Sequence, residues 1–168
     1  MATLVVEDGS GLATANSYAT VAEADDYHAS RCVADTSAWT AAAADRKAVA
    51  LIVATALLDR EVCWDGWPVA PERQALRLPQ DGLRTRTGGA LPATVIPVDA
   101  KDATAELARL LLERDRLAAA GEPPVRAQSI GALSITYADA DAPPAVVPES
   151  VRWRIRHLIR DEIAVLRA

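Results

Sequence analysis

The sequence predicts a mainly α-helical protein: a small helical bundle around a central Ala- and Leu-rich helix, with a β-hairpin, a long loop and a C-terminal helix. The strongest observation is segment 45–62, which begins and ends with charge and is apolar from residue 48 to residue 58 except at Thr55. It contains no Pro or Gly and is rich in good helix formers. Two further segments, 98–120 and 149–167, repeat apolar residues at helical spacing. Because a helix that is apolar on all sides must be covered on all sides, the rest of the chain or a neighbouring subunit should pack around segment 45–62.

Composition and charge narrow the class of protein. The 168 residues fit one domain, 1–168, and 51% of them are hydrophobic, which is enough for a core although Phe is absent. The formal net charge is −5, so no overall positive field favours nucleic acid. Acidic residues crowd the first third and arginines the last helix, a polarity that suits head-to-tail contacts between subunits or an acidic partner at the C-terminal end. The N-terminus lacks a signal-peptide pattern, so we expect a soluble protein made in the cytoplasm.

The first helix is predicted from a capping signal. Thr20 followed by Glu23 fits the capping box, and the helix should run from Val21 to about Arg31. The preceding segment 8–11, Asp-Gly-Ser-Gly, is typical of a turn. It lacks the longer glycine pattern, ending in Lys-Ser or Lys-Thr, that a phosphate-binding loop needs, so we interpret it as a plain turn.

Residues typical of catalysis or metal binding are few. Asp25, Asp26 and His28 lie close together in the first helix and could form a metal or acid–base cluster. We favour a solvated acidic helix N-terminus, because no second ligand cluster is visible in the sequence. The chain has two histidines and two cysteines and contains no nucleophile elbow, zinc-protease motif or Cys-x-x-Cys pair. We therefore predict a protein that is not an enzyme and that has no metal or cofactor.

A long irregular region, 63–96, follows the central helix and is rich in Pro and Gly. Loops of this length are usually functional or serve as interaction arms. Its tryptophans, Trp64 and Trp67, need burial on the core or on a partner. With nearby arginines the stretch could form a stacking platform for single-stranded nucleic acid, and a loop folded against its own domain is at least as well supported. The arginines are Arg73, Arg77, Arg84 and Arg86.

The remaining chain divides into a helix, a hairpin, a linker and a last helix. The helix 98–120 should pack one apolar face on the central helix and leave the opposite, charged face in solvent. Segment 139–148 is rich in Pro and Ala and is interpreted as a linker. It separates a helical core, 1–138, from a C-terminal helix, 149–168.

The hairpin is predicted over 125–137. Leu133, Ile135 and Tyr137 alternate with hydroxyl residues, which is the pattern of a strand. A lone hairpin is marginally stable in water, so we expect it to lie on helices or on the strands of a neighbouring subunit.

The last helix carries an arginine stripe beside its apolar stripe, with a tryptophan that projects away from the apolar face. This combination indicates either a partner surface or a surface helix whose arginines extend to solvent. The residues concerned are Arg152, Trp153, Arg156 and Arg160.

Several stretches of the chain, in this order, resemble one family of small tailed-phage proteins. The most specific part is Asn-Ser-Tyr at 16–18 followed by Ala-Glu-Ala-Asp at 22–25. The family more often has Trp-Pro-Arg where this chain has Leu-Pro-Gln at 78–80. The other matching pieces are Val6 to Gly11, the Ala/Leu helix ending Leu57-Leu58-Asp59-Arg60, Trp64, Ile96-Pro97 and Ser129 to Tyr137.

Members of that family are often labelled DnaT-like single-stranded-DNA-binding proteins, and they also look like the head-tail connector adaptors of long-tailed phages and gene transfer agents. The adaptor resemblance implies a structural subunit of a dodecameric ring between portal and tail, through which genomic DNA passes without specific recognition. It implies two partners besides further copies of the chain, the portal protein and a tail-completion or stopper protein. It also implies a virion protein at the head-tail junction.

We expect the residue patterns to serve that assembly. The acidic net charge suits a conduit whose wall should not hold a passing duplex tightly. The alternative is a single-stranded-DNA-binding replication protein, which should have a basic groove with several aromatics and should bind oligonucleotides in a salt-sensitive way. For the adaptor, Arg152, Trp153, Arg156 and Arg160 are predicted to dock on the portal, and Trp64, Trp67, Leu133, Ile135 and Tyr137 to contact other subunits or the tail.

Overall fold

A computed structural model describes residues 3–31, 38–114, 127–130, 133–136 and 145–160. Within these residues the chain is mainly helical, with a small antiparallel hairpin, so the predicted fold class is confirmed. The helices are α1 (Val21–Ala29), α2 (Ala38–Ala41), α3 (Ala44–Glu61), α4 (Val98–Glu113) and α5 (Glu149–Ile155). The strands form two antiparallel pairs, β1 (Trp67–Pro68) with β2 (Gln80–Asp81), and β3 (Ala127–Ile130) with β4 (Leu133–Thr136).

The central helix α3 packs mainly against α4, and α4 in turn contacts α1, α2 and α5. The side chains of Leu51 and Leu58 on α3 are completely buried. Truncating either leucine to Ala would cost about 2–5 kcal/mol of stability by the usual magnitude for buried leucines. Coverage of α3 is incomplete, however, because Val49 remains 44% exposed. The prediction of a helix buried on all sides therefore holds for most of α3 and is wrong along one stripe. No helix of the described residues is both long and apolar enough to cross a membrane.

The start of α1 has the predicted capping box. The Glu23 amide donates to Thr20 Oγ1 over 3.0 Å, and the Thr20 amide donates to Glu23 Oε2 over 2.8 Å. This reciprocal pair satisfies two amides that would otherwise lack acceptors at the helix start. The helix ends at Ala29, two residues short of the predicted end.

The charged face of α4 is not solvated throughout, contrary to expectation. Glu106 is only 7% exposed, because α1 packs across α4 and brings Arg31 to its carboxylate. Arg109, one turn along α4, binds the same carboxylate. Burial acts to raise the pKa of Glu106, but the hydrogen bonds from Arg31 and Arg109 outweigh it and hold that pKa below its ordinary value. This face of α4 is thus part of the contact with α1.

The last helix is shorter than predicted. It ends at Ile155, residues 156–158 form a turn, and the chain then runs antiparallel to the start of the long loop. The Asp65 amide donates to the Leu158 carbonyl over 2.9 Å, and the Arg160 amide donates to the Cys63 carbonyl over 2.8 Å. The Leu158 carbonyl and the Arg160 amide thus find their partners in the loop and do not need a continuing helix. Three predicted parts of the chain lie outside the described residues. They are the end of the helix predicted over 98–120, from residue 115 onward, most of the predicted linker, 139–144, and the part of the last helix beyond residue 160.

The long loop folds against its own domain. Leu78, Leu83 and Ile96 from this region are buried in the core. The β1–β2 pair closes the first half of the loop, with Trp67 opposite Asp81 and Pro68 opposite Gln80. The loop therefore presents only part of its surface to a partner.

Candidate functional site

A buried polar cluster fixes the long loop to α3. Asp59, near the end of α3, accepts hydrogen bonds at Oδ1 from the Tyr18 hydroxyl and from Trp64 Nε1, the latter over 3.1 Å, and at Oδ2 from the Arg77 amide over 2.9 Å. The Tyr18 hydroxyl in turn accepts from the Leu78 amide over 3.1 Å. One carboxylate thus joins the N-terminal segment, the central helix and both ends of the loop's first half.

Burial governs the ionisation of this cluster. It raises the pKa of Asp59 above its ordinary value, despite the three hydrogen bonds that favour the carboxylate. It also raises the pKa of Tyr18 strongly, and the neighbouring Asp59 charge adds to that effect. Trp64 is 4% exposed, so its ring is a core element of this cluster with almost no surface left for a partner.

Trp67, by contrast, is 71% exposed, and it lies beside the C-terminal segment. The guanidinium carbon of Arg160 is 5.8 Å from the centre of the Trp67 ring, within the range of a cation–π contact. Arg160 Nε also donates to Asp65 Oδ1 over 2.8 Å. We call Trp67, Arg160 and Asp65 together the Trp67–Arg160 surface.

Backbone contacts position this surface. The pairing of Leu158–Arg160 with Cys63–Asp65 brings Arg160 to the loop, and the β1–β2 pair holds Trp67. Gly66 lies between Asp65 and Trp67, and a Cβ atom there would lie 2.6 Å from the Asp81 carbonyl oxygen. Only a residue without a side chain allows this close approach of the two strands.

The other predicted interaction residues of the last helix differ in their exposure and in their contacts with the rest of the protein. Arg152 Nη2 donates to the Glu61 carbonyl over 2.8 Å, where it complements the C-terminal end of α3. Trp153 is 61% exposed, as its position opposite the apolar stripe predicted. Arg156 is exposed and has no ionic or hydrogen-bonding partner among residues 3–31, 38–114 and 145–160. The backbone of Leu133 and Ile135 lies in β4, whereas Tyr137 lies outside the described residues.

The loop arginines do not form one continuous basic groove. Arg73 Nη2 donates to the Ser10 carbonyl over 2.7 Å, and Arg84 Nη1 donates to the Gly88 carbonyl over 3.2 Å. Arg86 binds Asp99 and the Arg154 carbonyl. The sequence-predicted basic character of the loop is therefore distributed over several structural contacts.

The glycine turn near the N-terminus is occupied by the protein's own carboxylate. Glu7 is 2% exposed and accepts from the amides of Gly9, Gly11 and Leu12 over 3.0, 2.9 and 2.8 Å. Because these amides already have an acceptor, they are not available to a phosphate. The interpretation of this segment as a plain turn is confirmed.

The acidic cluster of α1 is likewise engaged in packing. Asp25 Oδ1 accepts from Trp39 Nε1 over 2.8 Å and from Lys47 Nζ over 2.7 Å. His28 is buried, and its Nε2 lies 3.1 Å from the Ala105 carbonyl, so this nitrogen must be the donor. His28 is thus a core residue. Across the described residues, no group of three or more His, Cys, Asp and Glu side chains could hold a metal ion.

Fold and surface together define a small helical protein in which an exposed tryptophan of the long loop lies beside an arginine of the C-terminal segment. A sequence model of the family described as "Putative DnaT-like ssDNA binding protein" matches residues 2–168. The match covers nearly the whole chain, so the protein belongs to this family. No curated protein and no solved structure matches the chain.

The family corrects the identification as a head-tail connector adaptor, which is wrong. The predicted ring between portal and tail and the predicted virion function are therefore wrong as well. The alternative interpretation, single-stranded-DNA binding, is the better supported. The net charge is a property of the whole molecule and does not exclude a local binding site such as the Trp67 ring beside the guanidinium of Arg160. The roles predicted for Arg152, Trp153, Arg156 and Arg160 in portal docking depended on that resemblance and have no support beyond it.

Proposed function

We propose that this protein binds single-stranded DNA through the Trp67–Arg160 surface. The observation that carries the proposal is that Trp67 is 71% exposed, while the guanidinium of Arg160 lies 5.8 Å from its ring centre. Membership of a family described by single-stranded-DNA binding supports the same conclusion. An aromatic ring beside an arginine is the combination with which such proteins stack a base and hold the adjoining phosphate.

The chemistry favours single strands over duplex. A base in a duplex is stacked on both faces, so only an unpaired base can lie flat on Trp67. Arg160 can reach a neighbouring phosphate, and the exposed guanidinium of Arg156 adds a second cation on the same C-terminal segment. The net charge of −5 opposes DNA at long range, so we expect moderate affinity with marked salt dependence.

The proposal is tested by fluorescence anisotropy with a labelled oligo-dT of about 20 nucleotides. Stacking contributes about 1–3 kcal/mol per base, so Trp67→Ala should weaken binding by about 5- to 150-fold. Trp153→Ala is a matched control, because Trp153 is similarly exposed at 61% but no described cation lies over its ring. It should change the affinity much less.

Circular dichroism and thermal unfolding should show that both variants fold like the wild type, since neither ring is buried. The proposal fails if the wild type does not bind oligo-dT. It also fails if Trp67→Ala binds as well as the wild type.

Self-association, predicted from the charge polarity of the chain, is a separate proposal. Size-exclusion chromatography with light scattering, with and without oligo-dT, would measure the number of chains in the particle. Absence of catalytic activity also remains a prediction.

A further inference from the structure

We infer that Asp65 is a built-in competitor of DNA at the Trp67–Arg160 surface, and that it lowers both the affinity of that surface and its dependence on salt. This inference rests on the proposed function and concerns how the same surface is regulated. The Asp65 carboxylate binds Arg160 until a phosphate of the DNA displaces that carboxylate.

The geometry supports this role. Arg160 Nε lies 2.8 Å from Asp65 Oδ1, and the same guanidinium lies over the Trp67 ring. Asp65 is held in place by its own backbone, because its amide donates to the Leu158 carbonyl over 2.9 Å. The carboxylate therefore stands at the point where a phosphate adjoining a base stacked on Trp67 would meet Arg160.

The ion pair is exposed enough to exchange. The side chains of Arg160 and Asp65 are 50% and 58% exposed. Exposed pairs of this kind contribute little to stability, whereas a guanidinium can bind a phosphate with two parallel hydrogen bonds. A phosphate can thus displace Asp65 without disturbing the fold.

The displacement also predicts a distinctive salt dependence. A cation that neutralises a phosphate of a single strand normally steepens the dependence of log affinity on log salt by about 0.7. In the wild type, however, Arg160 exchanges one anion for another, and the released Asp65 carboxylate must be neutralised by solution cations. Arg160 should therefore add little to the salt dependence until Asp65 is removed.

The experiment compares Asp65→Asn with Asp81→Asn, using labelled oligo-dT at salt concentrations from about 50 to 200 mM. Both changes remove one negative charge from the loop, and Asp81 lies opposite Trp67 in the β1–β2 pair but does not bind Arg160. Asp65→Asn should raise the affinity about two- to fivefold at low salt and steepen the salt slope by about 0.7. Asp81→Asn should produce a smaller rise and leave the slope unchanged.

A double-mutant cycle with Arg160→Ala completes the test. If Asp65 acts through Arg160, the Asp65→Asn change in the Arg160→Ala background should raise the affinity no more than Asp81→Asn does and should leave the slope unchanged. Binding by the wild type with no gain, or with a loss, on Asp65→Asn would overturn the inference and leave the proposed function intact. Absence of binding by the wild type and by Asp65→Asn alike would overturn both. Binding by Asp65→Asn alone would support the competition between Asp65 and DNA at Arg160, but it would overturn the proposed function, because the wild type would not bind.

Discussion

The cluster around Asp59 gives the sharpest stability prediction. Replacing Asp59 with Ala removes the acceptor of the Tyr18 hydroxyl, the Trp64 indole N–H and the Arg77 amide. A buried donor left without an acceptor costs about 1–3 kcal/mol. The Tyr18 and Trp64 donors belong to buried side chains, whereas the Arg77 amide is exposed and can bond to water. Two buried donors give about 2–6 kcal/mol as an upper range, and partial rehydration of the loop should leave a loss of about 2–4 kcal/mol.

The loss is measured as the change in the free energy of unfolding by guanidinium chloride, followed by tryptophan fluorescence and far-ultraviolet circular dichroism. Arg60→Ala is the neighbouring control, because the Arg60 side chain is 61% exposed and, among the residues that the structure describes, pairs only with the adjacent Glu61. That change should cost about 0.5 kcal/mol or less. A loss below about 1 kcal/mol for Asp59→Ala, or one equal to that of Arg60→Ala, would refute the idea that this carboxylate anchors the loop.

Two further predictions concern α1. Thr20→Ala removes the acceptor of the Glu23 amide and should lower the free energy of unfolding by about 0.5–2 kcal/mol. Thr20→Ser keeps a hydroxyl acceptor and should retain most of that stability. Equal stabilities of the two variants would contradict the capping role. The second concerns pH: burial lowers the pKa of His28, only partly offset by the Ala105 carbonyl and Glu106, so the folded state binds its proton less readily than the unfolded state. Its contribution is fully present above the ordinary pKa of about 6.5 and is lost as pH falls through the lowered value. Denaturant titrations should therefore show a smaller loss of stability between about pH 7 and pH 5 in His28→Gln than in the wild type, and an equal or larger loss would show that another group titrates.

Features encoded by neighbouring residues could be predicted from the sequence. The Thr20–Glu23 capping box is a local pattern, and so is the apolar run that became α3. The exposure of Trp153 followed from its position on the helix relative to the apolar stripe. In each case the signal lies within a few turns of chain, where helical periodicity fixes the geometry.

Features that depend on distant partners could not be predicted in the same way. Glu106 looked like part of a solvated face because Arg31, which pairs with it, is 75 positions away in the sequence. Arg160 was expected to continue a helix, yet its backbone pairs with Cys63 and its side chain lies over Trp67. The sequence predicts interaction roles for both Trp67 and Arg160 but places them on two separate surfaces, because no local pattern reports a long-range strand contact. Trp64 is buried and Trp67 is exposed, and the sequence gives one signal for this difference. Asp59 lies five residues before Trp64 and can accept a hydrogen bond from its indole N–H.

Photo-crosslinking can show whether single-stranded DNA lies on Trp67. An oligo-dT carrying 5-iododeoxyuridine would be irradiated with the wild-type protein, and the crosslinked peptide identified by mass spectrometry after trypsin digestion. The peptide 61–73 contains both Trp64 and Trp67, so fragment ions distinguish the buried ring from the exposed one. We expect a crosslink at Trp67 that unlabelled oligo-dT suppresses. A crosslink confined to Trp153, or no specific crosslink at all, would contradict it.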